Sequence, residues 1–285
     1  MSALISVFSP FWGLIFIFAF GEKYQYNREK YNFYLIFIAT IIILALGNFI
    51  DIILVSDILI GVVFSTILYF RLLLREYNYL KAIISVAIIN MLYGTLRHLM
   101  FGKMFIANMT AIFDQYTEFL ESIVMENSDK LLFVSDLIET LKYIVSHFYP
   151  AIWTATIILA IYICSLLLSK KLKTKWSHKT VRLPFTLVYL IIVFLVLFLL
   201  SSSRIIGING LLMLAPLLLI QGISILDFFL GNYFKKSKFL LYVLVLAMLF
   251  NPYLTMLIAA MGLLDMWFNF RKISIREEVN ENNFN

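Results

Sequence analysis

Residues 183–201 of the chain read LPFTLVYLIIVFLVLFLLS, an apolar run without a single charged residue. A helix needs about 20 apolar residues to cross the hydrocarbon core of a bilayer. In lipid, the backbone N–H and C=O groups have to pair within the protein, and a helix pairs them within one segment. The run therefore predicts a membrane-spanning α-helix.

Similar apolar stretches recur along the 285-residue chain, at residues 3–20, 34–54, 58–74, 79–98, 145–169, 205–232 and 239–268. The chain is 62% hydrophobic and 14% charged, and its mean hydropathy is +0.93. About a quarter of the residues in a soluble domain are charged, so this chain lacks the side chains for a soluble surface. We expect an all-α, polytopic transmembrane bundle of about eight spans in the cytoplasmic membrane of a bacterium.

One long polar region, residues 99–144, divides the chain. Four spans precede it in residues 1–98, four follow in residues 145–273, and residues 274–285 form a polar tail. Apolar residues recur at helical spacing on both sides of residues 126–129, which predicts two amphipathic helices. These helices either pack over the end of the bundle as a cap or serve as a folded connector.

Basic residues concentrate in alternate short loops, around residues 23–30, 71–81, 170–182 and 235–238. Cytoplasmic loops carry an excess of Lys and Arg, so these loops are expected inside the cell. The amino terminus and the amphipathic region are then outside.

The carboxyl tail breaks this pattern, because eight spans would put the basic residues Arg271 and Lys272 outside. Asn251-Pro252 divides the last apolar stretch, residues 239–268. We favour one kinked helix over a broken pair of helices there, because two full crossings would need about 40 residues.

Polar side chains inside the spans are candidates for a ligand site, because lipid solvates them poorly. Asn90, Tyr93 and Arg97 share one face of the fourth span, and Gln221, Ser224 and Asp227 follow at intervals of three in the seventh. Each set either contacts a ligand or has a structural role, as a carboxylate partner for Arg97 or as hydrogen bonds between helices. The remaining acidic candidates, Asp51 and Asp57, lie at span ends and are interpreted as solvated at the interface.

The last span ends in the run GLLDMWFNFRK, residues 262–272. Trp267 and its phenylalanine neighbours suit a membrane interface. Asp265 and Arg271 are expected to pair and fix the helix end, so Gly262, Asp265, Trp267 and Arg271 form a structural motif.

No motif in the sequence points to catalysis, a metal or another cofactor. Cys164 is the single cysteine, which excludes an internal disulfide, and the three histidines lack metal-ligand spacing. The net charge of +6 comes from loops rather than from a basic face, so nucleic acid is not an expected partner. We therefore expect a protein that is not an enzyme.

Three short motifs carry a resemblance to a known family. They are Tyr149-Pro150-Ala151 at the start of the fifth span, Gln221-Gly222-Ile223-Ser224 in the seventh, and the closing run of residues 262–271. With these motifs, residues 145–273 resemble the YybS-like bacterial membrane proteins (domain of unknown function 2232), whereas the amino half matches in span layout. The resemblance implies a fold related to MreD and to the substrate-binding components of energy-coupling-factor transporters.

Two functional hypotheses follow, and both have the lipid bilayer as a partner. In the first, the bundle binds or transports a small molecule such as a vitamin or metabolite near Asn90, Arg97, Gln221 and Asp227. In the second, the chain is a non-catalytic scaffold that contacts other membrane proteins in envelope growth or division, as MreD does.

Overall fold

The computed structural model describes residues 5–6, 9–25, 30–47, 50–76, 78–123, 128–171 and 178–273. The predicted polar tail, residues 274–285, lies outside the described residues. Every described element is helical, which confirms the predicted all-α class. The longer helices are α1 (Pro10–Gln25), α2 (Lys30–Leu46), α3 (Ile52–Ser56), α4 (Ser65–Glu76), α5 (Tyr79–Ile123), α6 (Ser128–Lys171), α7 (Thr186–Leu199), α8 (Arg204–Lys236), α9 (Lys238–Phe250) and α10 (Pro252–Phe268).

Three shorter turns of other helix types connect these elements. A π-helical segment, Asp57–Phe64, joins α3 to α4 without a break. Two 3₁₀ turns, His178–Thr180 and Ser201–Ser203, precede α7 and α8 respectively. Segments of π-helix occur frequently at functional sites, so the surroundings of Asp57–Phe64 are of functional interest.

Four helical stretches are long and apolar enough to cross a membrane: Ile52–Leu73, Tyr79–Leu120, Phe133–Ser169 and Ser201–Phe234. The bent pair α9–α10 gives a fifth if it counts as one span. Two shorter apolar helices, Tyr34–Leu46 and Thr186–Leu199, add to them. Large apolar side chains on these helices are exposed, as with Leu199 at 79%, and lipid is the solvent that suits such a surface.

The described parts of the polar region, residues 99–123 and 128–144, are helical as predicted, but they are not separate helices. They continue α5 and α6, which have 45 and 44 residues. Each helix is therefore about 65 Å long at the α-helical rise, twice the thickness of the hydrocarbon core. The two extensions pair as a hairpin, in which Lys142 Nζ lies 2.5 Å from Asp114 Oδ1. The expected cap is thus an extension of the two spans, because each helix continues past residue 99 or residue 144 without a break.

Helix α6 lies at the centre of the bundle. It packs against α1 and α5 on one side and against α8 on the other, and α8 in turn packs against α7 and α10. The fully buried side chains Ile157, Ile158 and Ile161 of α6 lie in the core between them. The bundle therefore has an amino-terminal group and a carboxyl-terminal group of helices, with α6 shared.

The last apolar stretch is a broken pair, so the preference for one kinked helix is wrong. The two helices on either side of residues 249–251 are bent by 103°. Asn251 caps α10 by accepting a hydrogen bond from Leu254 N at 3.1 Å, and Pro252 occupies the first turn. Proline suits a helix start because it has no N–H to leave unpaired, so this dipeptide begins a new helix.

Candidate functional site

The first polar cluster, which we call the Asp57–Arg97 site, lies where the π segment meets α5 and α6. Asp57 is the first residue of the π segment, and Asp51 begins the same helix by accepting a bond from Leu54 N at 2.7 Å. Tyr93 and Arg97 are one turn apart on α5, so their side chains share one helix face. The sequence spacing of Tyr93 and Arg97 predicted that they share a face, and in the structure this face contacts Asp57.

Arg97 and Asp57 form a bidentate ion pair. Arg97 Nε donates to Asp57 Oδ1 at 2.6 Å, and Arg97 Nη2 donates to Asp57 Oδ2 at 2.7 Å. Both residues are buried, at 5% and 4% exposure. The interpretation of Asp57 as a solvated residue at the interface is therefore wrong, and the open question of a carboxylate partner for Arg97 is answered. Asp57 is drawn inward because the guanidinium on α5 provides its counter-charge.

One hydroxyl group, that of Tyr93, completes the contacts of the Asp57 carboxylate, and the hydroxyl of Ser56 lies behind it. Tyr93 Oη donates to Asp57 Oδ1 at 2.7 Å, and Ser56 Oγ lies 2.8 Å from the same Tyr93 hydroxyl. Ser56 also donates to the carbonyl of Ile53 at 2.8 Å. The Asp57 carboxylate therefore accepts three hydrogen bonds, and the site holds two opposite charges in direct contact inside the bundle.

Aromatic rings surround the guanidinium of Arg97. Its central carbon lies 4.8 Å from the ring centre of Phe105, 5.2 Å from that of Tyr149 and 5.6 Å from that of Trp153. Cation–π contacts of this kind contribute about 0.5–2 kcal/mol each, most where water is excluded. The rings hold Arg97 in place independently of its contact with Asp57.

Asn90 lies on α5 two turns before Arg97, in a second polar layer. Its Nδ2 donates to Ser65 Oγ at 2.8 Å and to Val86 O at 3.0 Å. Thr154 Oγ1 of α6 donates to the carbonyls of Pro150 and Asn90 at 2.9 and 3.3 Å. Asn90 Oδ1 and Trp153 Nε1 are buried atoms for which the structure shows no hydrogen-bond partner. Of these two atoms, Trp153 Nε1 belongs to a ring that contacts Arg97, whereas Asn90 Oδ1 belongs to the second layer.

Sequence reasoning missed Asp57 and the three aromatic rings as members of this site. Tyr149 and Trp153 are four residues apart on α6, which puts them on one face, and this spacing is a signal that was available. The contact of Phe105 with Arg97 was not predictable from spacing. Phe105 lies in the extension of α5, which was expected to be a separate helix.

The second polar cluster, the Asp265–Arg271 network, lies at the end of α10. The helix ends at Asn269, which adopts the left-handed conformation with φ 44°. Asn269 Oδ1 accepts from Ile273 N at 3.2 Å, and Lys272 N donates to Asn269 O at 2.8 Å. This turn reverses the chain, so that Arg271 comes back to Asp265 one and a half turns earlier.

Arg271 donates four hydrogen bonds, and the predicted pair with Asp265 is one of them. Nη2 donates to Asp265 Oδ2 at 2.7 Å and to Val181 O at 2.8 Å. Nη1 donates to Ser224 Oγ at 2.6 Å and to Lys179 O at 2.7 Å. The side chains of Arg271 and Asp265 have no exposed surface. Arg271 therefore ties the end of α10 to the loop before α7.

Gln221 and Ser224 belong to this network. Gln221 Oε1 accepts from Leu183 N at 2.8 Å, and Gln221 Nε2 donates to Asp265 Oδ2 at 3.2 Å. Ser224 Oγ donates to His178 O at 2.6 Å. Both candidate residues thus bind the backbone of residues 178–183, and these hydrogen bonds join α8 to the loop before α7.

Asp227, the third candidate of α8, lies beside the histidine of the same loop. Asp227 Oδ2 is 3.6 Å from His178 Nδ1, and His178 Nε2 is 2.5 Å from Tyr162 Oη on α6. The structure therefore places Tyr93 and Arg97 in the Asp57–Arg97 site and Asn90 in a separate polar layer of α5, whereas the three α8 residues lie beside the loop of residues 178–183.

Two glycines allow α8 and α10 to touch. A Cβ atom on Gly262 would collide with the backbone carbonyl of Leu218, and a Cβ on Gly222 would collide with that of Ile258. The contact is reciprocal, so neither position accepts a side chain without moving a helix backbone. Trp267, the remaining member of the closing motif, is 47% exposed and meets Phe185 edge to face at 6.5 Å.

Within the described residues, no three His, Cys, Asp or Glu side chains are placed to hold a metal ion. Cys164 is buried in α6.

The family comparison covers almost the whole chain. A model of the family described as "Predicted membrane protein (DUF2232)" matches residues 1–266. The match includes the amino half, where the resemblance had been expected only in span layout, and it ends within the closing motif. Comparisons with curated proteins and with solved structures found no match. The chain therefore belongs to the DUF2232 family of predicted membrane proteins, as its YybS-like motifs indicated.

Proposed function

We propose that this chain binds a small polar molecule at the Asp57–Arg97 site and serves its binding or transport across the cytoplasmic membrane. The observation that carries the proposal is a buried ion pair inside apolar helices: Asp57 lies within Ile52–Leu73 and Arg97 within Tyr79–Leu120. Ionisable residues at such positions mark substrate or ion pathways by default.

Stability alone gives little reason for this pair. Desolvating two charges costs several kcal/mol, and well-packed apolar residues of similar volume often give an equal or more stable protein. The site also adjoins a π-helical segment, a type of segment that occurs frequently at functional sites. These features favour a site that exchanges partners over a fixed structural bridge.

The orientation of the chain supports access from outside the cell. We propose about eight spans, in which α1, α2 and α7 cross with help from their polar flanks, because short helices can be matched by a thinner bilayer. The hairpin extension of α5 and α6 then projects outside, next to Arg97. Residues 178–183 and Arg271 meet in one network, so they lie on the same side, and basic loops put that side in the cytoplasm. The last of the eight apolar stretches, the bent pair α9–α10, then re-enters on the cytoplasmic side instead of crossing.

The test is thermal unfolding of the detergent-purified protein with a panel of vitamins and metabolites. A ligand at 100 times its Kd adds about 2.7 kcal/mol of stability. Arg97→Gln removes this shift, and Arg204→Gln retains it, because Arg204 is an exposed arginine stacked on Phe198 at 5.3 Å. A panel without any stabilising compound, or a shift that survives Arg97→Gln, overturns the proposal.

A second candidate, an MreD-like scaffold, is favoured by the surface of the hairpin. Its aromatic side chains Tyr116, Phe119 and Phe133 are 60%, 59% and 71% exposed. Exposed aromatic groups beyond the expected span suit a contact with another membrane protein. In this case Tyr116→Ser with Phe119→Ser releases a partner that co-purifies with the wild type, whereas Glu118→Gln retains it. Neither candidate assigns a catalytic step to the chain.

A further inference from the structure

We propose that the Asp57–Arg97 site takes a carboxylate anion together with one proton. This inference rests on the proposed function and names the chemical class of its ligand. In the resting site the carboxylate of Asp57 is the counter-ion of Arg97. A ligand carboxylate takes that place on the guanidinium, and Asp57 takes up a proton.

Charge balance requires the proton. The resting pair is neutral, with one positive group and one negative group in a buried environment. An added anion would leave a net negative charge in that environment, which is costly because the surroundings screen it poorly. A proton from the aqueous side that binds Asp57 restores neutrality, and the site then holds Arg97 as a cation, the ligand as an anion and Asp57 as a neutral acid.

Arg97 is preorganised for this exchange. Three rings contact its guanidinium, so its position does not depend on Asp57 alone. Asp57, by contrast, lies at the junction of α3 with the π segment, and its N–H is shared between the carbonyls of Ile53 and Leu54. A change of winding at this junction moves Asp57 relative to Arg97, because π and α turns differ by one residue.

The geometry favours a carboxylate over other anions. The guanidinium already makes two parallel bonds to a carboxylate, the planar arrangement that arginine prefers. Aromatic rings lie beside it, so a flat apolar group attached to the carboxylate would pack on them. Benzoate combines both properties and is the probe for the test, and benzamide is its uncharged counterpart.

Other titratable groups near the site are few enough to control. Asp51 lies on the same helix as Asp57, Tyr93 and His98 lie on α5, and Tyr149 lies on α6. The described side chains of α1, residues 9–18, are uncharged. His98 Nδ1 is 3.2 Å from Tyr149 Oη, so His98 is the histidine that lies beside the site, and His98→Gln is the matched control.

The experiment measures benzoate binding to the purified wild-type protein by calorimetry between pH 6 and pH 8. Uptake of one proton predicts that Kd rises about tenfold per pH unit, in the wild type and in His98→Gln alike. Titrations in two buffers of different ionisation enthalpy report one proton taken up per benzoate. A Kd that is independent of pH, binding without proton uptake, or equal binding of benzamide overturns the inference.

Asp57→Asn removes the internal anion but keeps the shape of the side chain. This variant is expected to bind benzoate with a Kd that does not depend on pH and that matches the wild-type Kd at pH 6. At pH 8 it should then bind about 100-fold more tightly than the wild type, whose Kd rises about tenfold with each of the two pH units. The double variant Asp57→Asn with Arg97→Gln has a neutral pair and binds no benzoate. The wild-type titration does not depend on whether either variant folds.

The two proposals fail in different ways. If panel compounds stabilise the protein through Arg97 while benzoate binds neither the wild type nor Asp57→Asn, the binding function stands and the carboxylate inference is wrong. If no panel compound stabilises the protein but benzoate binds Asp57→Asn alone, the exchange is an artefact of the substitution, and both proposals are wrong.

Discussion

The described part of the chain contains two buried Asp–Arg pairs whose surroundings differ. Arg271 donates to two backbone carbonyls, a serine hydroxyl and Asp265, so it joins the end of α10, α8 and the loop of residues 178–183. The hydrogen bonds described for Arg97 go to Asp57, and its other described neighbours are aromatic rings. The same two residue types thus tie a helix end to a loop in one region, and in the other they form the pair that we propose to be exchangeable.

A substitution in the contact of Gly222 and Gly262 between α8 and α10 is expected to destabilise the protein more than any other change considered. Gly262→Val would push a side chain into the backbone of Leu218, and we expect a loss of at least about 3 kcal/mol in the free energy of unfolding, since overpacking of a rigid contact costs this much. Unfolding of the detergent-purified variant measures it. Gly102→Ala is the control, because its Cβ meets only the flexible side chains of His98 and Tyr149, and it should cost nothing.

Loss of Arg271 tests the tie itself. Arg271→Gln leaves the Asp265 charge buried and removes the bonds to Lys179 O and Val181 O, so we expect a loss of about 3 kcal/mol. Denaturant unfolding gives the value, and limited proteolysis of the 178–183 loop should show that it is released. Lys272→Gln, at an exposed neighbour, is expected to leave both unchanged. A stable variant with a protected loop would contradict the structural role.

Tyr93→Phe sharpens the comparison at the other pair. It removes one of the donors to Asp57 and leaves the Arg97 bonds in place, so the expected loss of stability is about 1 kcal/mol. The ionised form of Asp57 also loses support, and proton uptake on benzoate binding should therefore become easier and the affinity higher at pH 8. A lower affinity at pH 8 would argue that Tyr93 contacts the ligand directly instead.

The hairpin ion pair gives the smallest effect. Lys142 and Asp114 are 28% and 55% exposed in their side chains, so water and salt screen their interaction. Lys142→Ala should change the free energy of unfolding by about 0.5 kcal/mol or less. Thermal unfolding at low and high salt checks this value. A larger loss would mean that the hairpin is held by this pair rather than by its apolar contacts.

Sequence reasoning predicted what local patterns determine. The apolar runs gave the all-α class, the spacing of Asn90, Tyr93 and Arg97 gave one shared face, and Asp265 with Arg271 gave a pair. It did not predict that α5 and α6 continue through residues 99–144, because amphipathic spacing does not show where a helix ends without a breaking residue.

The remaining differences depend on tertiary packing. Asp57 looked accessible because it lies at the end of an apolar run, and only the approach of α5 provides the arginine that buries it. For Gln221 and Ser224 the choice between ligand contact and hydrogen bonds between helices stayed open in the sequence, because some of their partners are backbone atoms of a loop, which no side-chain pattern marks. Asn251-Pro252 was noticed as a break, but the bend of 103° depends on the packing of α10 against α8.

The most direct test of the account compares two charge-neutral double variants in the same detergent. We expect Asp57→Asn with Arg97→Gln to unfold within about 1 kcal/mol of the wild type, because a neutral pair replaces a costly ion pair. Asp265→Asn with Arg271→Gln should lose about 3 kcal/mol, because the bonds of Arg271 to the 178–183 loop go with the charge. Equal losses, or a larger loss at Asp57 and Arg97, would show that both pairs hold the fold and would contradict the assignment of one of them to function.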